Sequence, residues 1–181
     1  MAVQRGVRIN SFAQVFPVNQ VGTGQVHPRL QTMHFPKWVS LVEDLSAVND
    51  EVFSQKLMGN GAAIVPSDGN VYSPVTGTVS VAYKTGHAYG LKSDDGAEVL
   101  IHIGLNTVNL NGQHFKSLVT QGQHIEKGDK IGEVDLDAVK AAGYDTTVMV
   151  VITNSPSYNE AARVEATDIK HGDNLISLTA H

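Results

Sequence analysis

The chain of 181 residues contains no cysteine at all. Disulfides, thiolate nucleophiles and cysteine-ligated zinc are therefore excluded, and a reducing compartment is permitted. Charge is also sparse. Only 17% of residues are Asp, Glu, Lys or Arg, and the balance is −5, which supplies neither the basic footprint that nucleic acid demands nor a polybasic membrane patch. Nowhere do eighteen apolar residues run together, so no spanning helix is expected. The reading is a soluble cytoplasmic chain with no nucleic-acid partner and no direct membrane insertion. Any chemistry falls to His, Asp, Glu, Ser, Thr or Lys.

What the sequence does have is short β-branched runs separated by Gly, Asn and Asp: AAIV, GTVSVAY, EVLIHI, TVNL, IGEV, VMVVIT and ISLT. This pattern predicts an all-β fold. The segment GQHIEKGDKIGEV adds closely spaced turns of the kind that build a tight sandwich. Two short helices fit the interruptions: Asn49 or Asp50 caps DEVFSQKLM with Gly59 behind it, and Asp135 caps LDAVKAA with Gly143 behind it. Residues 1–36, broken by Pro17, Pro28 and Pro36, read as an arm or linker, or equally as an added edge strand; residues 37–181 form the domain.

His102 stands inside the most apolar run, AEVLIHIG. A lone histidine among aliphatic residues is ordinarily a core residue with both ring nitrogens satisfied, so a functional reading needs a partner. His87 is that partner, in YKTGHAYGLKS, with Thr85 at i−2. Between the two runs lies Asp95-Gly96, a strong hairpin signal. A two-residue turn there predicts that His102 opposes Tyr89 and His87 opposes Gly104, so that the histidines lie on a diagonal roughly 7–8 Å apart at the backbone. Three uses remain open on spacing alone. The pair could transfer a phosphoryl group, with one neutral imidazole as nucleophile and the other supporting the transferred oxygens. It could supply two zinc ligands. Or it could be purely structural. A full zinc site is not in view, because His27, His34, His114, His124, His171 and His181 fall in expected loops or tails.

NDEVFSQKLMGNGAAIVPSDGNVYSPVTGTV, KTGHAYGLKSDDGAEVLIHIGLNTVNLNG and GDKIGEVDLDAVKAAGYDTTVMVVITN resemble successive blocks of the glucose-type enzyme IIA domain of the bacterial sugar phosphotransferase system, from about residue 50 to 178. The T-x-H…H-x-G-x-x-T-V arrangement carries the resemblance. It implies an antiparallel β-sandwich of barrel-sandwich type with short helical turns. It also implies a phosphohistidine carrier that needs no cofactor, in which His102 accepts a phosphoryl group from the phosphocarrier protein HPr and passes it to an enzyme IIB domain. His87 matches the supporting histidine, Thr85 the hydroxyl that orients it, and Gly104 the position whose carbonyl holds the other nitrogen of the acceptor ring. Zinc shared between His87, His102 and a bound partner is a further implication.

Two acidic positions of the family are amides here, Asn60 in Gly59-Asn60-Gly61 and Asn106 after the HIG motif. Both are expected at the partner interface, where their amides lack the charge that meets arginines of a IIB domain. Pro36-Lys37-Trp38-Val39 also departs from the family's opening. Val99 and Ile103, with Ile101, Leu105 and Val108, are candidates for the apolar rim or for the core. A regulatory protein-binding module of the same fold is one rival reading. A lipoyl- or biotinyl-type carrier is the other, though the lysine-bearing hairpin tip that it requires is not present.

Overall fold

The computed structural model describes residues 7–10, 40–165, 168–170 and 172–179. Pro17, Pro28, the stretch from Pro36 to Val39, and His27, His34, His171 and His181 lie outside the described residues. In chain order the strands are β1 (Val7–Asn10), β2 (Ser40–Asp44), β3 (Asn60–Val65), β4 (Asn70–Tyr72), β5 (Gly77–Ala82), β6 (Ala88–Ser93) and β7 (Glu98–Ile103). They continue as β8 (Phe115–Ser117), β9 (His124–Ile125), β10 (Lys130–Val134), β11 (Val148–Ile152), β12 (Glu160–Arg163), β13 (Asp168–Ile169) and β14 (Asn174–Thr179).

An eight-stranded sheet runs β13-β2-β3-β11-β7-β6-β5-β9, and two three-stranded sheets run β4-β10-β8 and β1-β14-β12. The pairings are antiparallel. The alternation of β7 explains the layering. Val99, Ile101 and Ile103 point inward and pack with Tyr89 and Leu91 of β6, Ile131 and Val134 of β10, and Leu175, Ile176 and Leu178 of β14. The result is an antiparallel β-sandwich whose small sheets cover the inner face of the large one.

The other face of the large sheet is covered locally by a helical crossing. Asp50 caps helix α1 (Glu51–Ser54) by accepting from Val52 N, and Phe53 of that helix packs with Leu45, Val48, Ala63, Leu105, Met149 and Val151 in a second cluster. Helix α2 (Leu136–Ala141) is capped by Asp135, which accepts from Ala138 N. Asp135 caps as the sequence implies, and of the two candidates Asn49 and Asp50 it is Asp50 that caps a first helix shorter than expected. TVNL does not form the expected strand. Thr107–Leu110 is a 3-10 turn entered from Asn106 in the left-handed region, a conformation that asparagine tolerates and that breaks a strand. Of the N-terminal segment, Val7–Asn10 lies as an edge strand on β14. No helix among the described residues is long and apolar enough to cross a membrane.

Candidate functional site

The β6–β7 hairpin departs from the two-residue turn that Asp95-Gly96 suggests. Ser93 N donates to Ala97 O at 2.8 Å and Gly96 N to Ser93 O at 3.0 Å, while Ser93 Oγ accepts from Ala97 N. The loop is therefore three residues, Asp94 to Gly96, with Gly96 at φ +93°, the form that places glycine in the left-handed position. The serine hydroxyl that ties off the loop is what the dipeptide signal could not show. One extra residue shifts the register, so His102 pairs with Ala88, and Tyr89 with Ile101. The expected pairing of His102 with Tyr89 is corrected accordingly.

In the observed register strict alternation would separate the histidines. His102 shares its face with Met149 and Ala63, its neighbours across β11 and β3, whereas His87 falls in step with Tyr89 and Leu91 on the inner face. The strand, however, begins only at Ala88. Just before it the chain turns, with Gly86 N donating to Tyr83 O at 2.8 Å and Gly86 at φ +67°. His87 escapes the pleat there. Its ring centroid lies 5.1 Å from that of His102, with the planes at 77°, while its carbonyl still accepts from Ile103 N at 2.8 Å.

Each ring is held at Nδ1. His102 Nδ1 is 2.9 Å from Gly104 O. A carbonyl only accepts, so in the neutral ring Nδ1 carries the hydrogen and Nε2 keeps its lone pair. His87 Nδ1 meets Thr85 Oγ1 at 2.5 Å. A hydroxyl can donate to that nitrogen, which leaves His87 Nε2–H as a donor. The two rings thus offer one nucleophilic nitrogen beside one hydrogen-bond donor. Burial lowers the pKa of both, reinforced at His87 by the neighbouring imidazole and opposed at His102 by the Gly104 carbonyl and the charge of Asp50. The neutral, nucleophilic form is favoured near neutrality.

Around the pair runs an apolar collar. Phe53 lies 5.4 Å from His102 and Tyr83 lies 5.3 Å from His87, centroid to centroid. Val52, Tyr83 and Val108 each leave more than 40% of their surface exposed. Val108 was among the rim candidates of the sequence, whereas Val52, Phe53, Tyr83 and the site role of Asp50 are what sequence reasoning missed. A usable signal existed in Asp50-x-x-Phe53, which places an acid and an aromatic on one short helix.

Val99 and Ile103 are corrected as partner-binding residues: each is only 2% exposed and both belong to the inner core. The reason is the odd-numbered register of β7, which turns Leu100 and His102 outward and the valine and isoleucine inward. Asn106 is exposed, two residues beyond Gly104, at the mouth of the site. Asn60 is exposed but elsewhere. It pairs with Ile152, three positions along β11 from the Met149 that neighbours His102, which sets it roughly 14 Å away across two strand spacings. It also follows the alternation of Ala62 and Ile64, on the opposite face.

Among the described residues no group of three or more His, Asp or Glu could hold a metal ion. The two imidazoles supply two of the four ligands zinc ordinarily takes, so a metal here would need donors from a partner. His114 and His124 are exposed, the latter 3.3 Å from Asp94.

Residues 39–158 match the family model described as phosphoenolpyruvate-dependent sugar phosphotransferase system, EIIA 1. A glucose-specific EIIA component of Halalkalibacterium halodurans is 40% identical over 81% of this chain and 84% of its own length. A beta-glucoside-specific EIIBCA component of the same organism is 45% identical over 75% of this chain. That relative is much longer, and the match spans 21% of it. Glucose permease IIA from Mycoplasma capricolum superposes with a TM-score of 0.70 at 34% identity, covering 76% of this chain and 89% of that one. On the sequence match, the shared sandwich and the paired histidines, the chain belongs to the EIIA 1 family of the phosphoenolpyruvate-dependent sugar phosphotransferase system.

Proposed function

We propose that His102 Nε2 accepts a phosphoryl group from HPr and delivers it to a IIB domain during sugar uptake. The carrying observation is the bond between His102 Nδ1 and Gly104 O, which leaves Nε2 as the lone-pair nitrogen of a half-buried ring. In the forward step the lone pair of Nε2 forms a new N–P bond, while the P–N bond of the donor phosphohistidine breaks and its electron pair returns to the donor ring. The second transfer repeats this with a nucleophile of the IIB domain, and Nε2 recovers its lone pair. His87 donates from Nε2–H to a phosphoryl oxygen, with Thr85 keeping it in that tautomer.

The exposed collar of Val52, Tyr83 and Val108 suits brief docking of two different proteins on one small apolar surface. The curated relatives that join B and C components to the A component in one chain support a IIB partner. Incubation with phosphoenolpyruvate, enzyme I and HPr should place an acid-labile phosphoryl group on the chain. His102→Gln should take up none, having no nucleophilic nitrogen. His87→Gln should still be labelled but donate to a IIB domain on the order of 10²–10³-fold more slowly, the usual effect of losing one preorganised donor. Label on His102→Gln and none on His87→Gln would assign the nucleophile to the other ring.

A further inference from the structure

The turn that carries the Gly104 carbonyl is gripped at every other polar backbone atom between Ile103 N and Leu105 N. Ile103 N donates to His87 O at 2.8 Å, Gly104 N to Thr147 O at 2.9 Å and Leu105 N to Asp145 O at 3.1 Å. Ile103 O accepts from Thr107 Oγ1 at 2.5 Å. The loop behind the turn is itself fixed, because Asp145 Oδ1 accepts from Thr147 N at 2.7 Å. Thr107 is fully buried and Gly104 is buried with it. Gly104 O is left for His102 Nδ1.

We propose that Thr107 and Asp145 are positioning residues for phosphoryl transfer, holding the 103–105 turn so that the Gly104 carbonyl fixes His102 as its Nδ1–H tautomer. The inference rests on the transfer reading above. Neither side chain touches the reacting nitrogen. Thr107 acts through the Ile103 peptide, and Asp145 acts through the two backbone carbonyls, its own and that of Thr147, that hold Gly104 and Leu105. If the turn relaxes, the carbonyl loses its aim and the ring hydrogen is free to move to Nε2, which then has no lone pair to attack phosphorus.

The test compares Thr107→Val, which keeps the shape and removes the hydroxyl, with Thr107→Ser, which restores the hydroxyl, and with Asp145→Ala, whose exposed position makes misfolding a minor concern. Nitrogen-15 NMR of the His102 ring reads the tautomer directly, with no need of any partner protein. The wild type should show mainly Nδ1–H. Thr107→Val and Asp145→Ala should gain Nε2–H, titrate at lower pH, and take up label from phosphorylated HPr about five- to tenfold more slowly, the worth of one hydrogen bond. Thr107→Ser should recover all three. Unchanged tautomer populations in folded Thr107→Val and Asp145→Ala would overturn the proposal, even if both melt earlier, because a merely structural role lowers melting without moving the ring hydrogen. Wild type that shows the Nδ1–H form yet accepts no label would instead refute the transfer reading alone.

Discussion

Substituting Gly104 by alanine concentrates the strain of the site in one methyl group. The residue sits at φ +75°, where an L side chain costs about 1–2 kcal/mol. An added Cβ would stand 2.5 Å from Thr107 Cγ2 and 2.6 Å from Asp145 O. Neither neighbour yields readily: the threonine is tied through its hydroxyl to Ile103 O, and the other contact is backbone already engaged with Leu105 N. Overpacking of this kind adds about 1–3 kcal/mol. The total, about 2–5 kcal/mol, is a large part of the roughly 5–15 kcal/mol that holds a domain folded. Urea unfolding followed by circular dichroism is the assay. With a slope of about 2 kcal/mol per M, the midpoint should fall by roughly 1–2.5 M. Gly96→Ala is the control, since Gly96 has φ +93° and nothing within 4 Å of an added Cβ; it should show the backbone cost alone. If Gly104→Ala is no more damaging than Gly96→Ala and accepts label at the normal rate, the turn is not the rigid support assigned to it.

The pH dependence follows from the sign of the two histidine shifts. Both pKa values lie below the ordinary value in the folded state, so the unfolded chain binds protons first as pH falls. Their contribution to stability is complete above about 6.5 and is lost as pH drops through the folded values; NMR midpoints for both rings should lie below 6.5, and Asp50→Asn should lower that of His102 further by removing a charge that favours the imidazolium. Asn106→Asp should speed transfer to an arginine-bearing IIB domain, most clearly at low salt, whereas Asn60→Asp should not, because roughly 14 Å exceeds the screening length of about 8 Å at physiological salt. Equal acceleration by both substitutions, measured in a label chase, would show that the docking face extends further than the collar.

The fold was legible wherever a local signal had one meaning. Alternating valines and isoleucines in EVLIHI and the unbroken apolar run VMVVI can bury themselves only as strands of a layered sheet, and Asp50 and Asp135 have the side chain a helix start needs. The signal failed at TVNL, whose β-branched residues resemble a strand. Its conformation is set instead by the left-handed Asn106 before it and by the buried Thr107 hydroxyl bonded back to Ile103 O. Propensity cannot anticipate a bond made between a side chain and a carbonyl four residues earlier.

At the site, the sequence named the pair His87 and His102 correctly as neighbours but through a register that the structure does not adopt. Two errors compensated. The hairpin loop is one residue longer than the Asp-Gly signal implies, which by alternation alone would have sent His87 to the inner face. The strand then starts one residue after His87, and the turn at Gly86 lets the ring swing out to its partner. Only residues next to a strand end have that freedom, since a residue within a ladder is bound to its face by two neighbouring strands. Val99 and Ile103 have no such exit and stay in the core. His102, the proposed nucleophile, is therefore carried by β7 inside the sheet, fixed by pairing on both sides, while His87 stands just ahead of β6, buried, with Nδ1 on Thr85 Oγ1 and its carbonyl on Ile103 N. A carrier that must meet a donor and then an acceptor gains from this arrangement: each ring is held at Nδ1, so both imidazoles keep their aim from one encounter to the next.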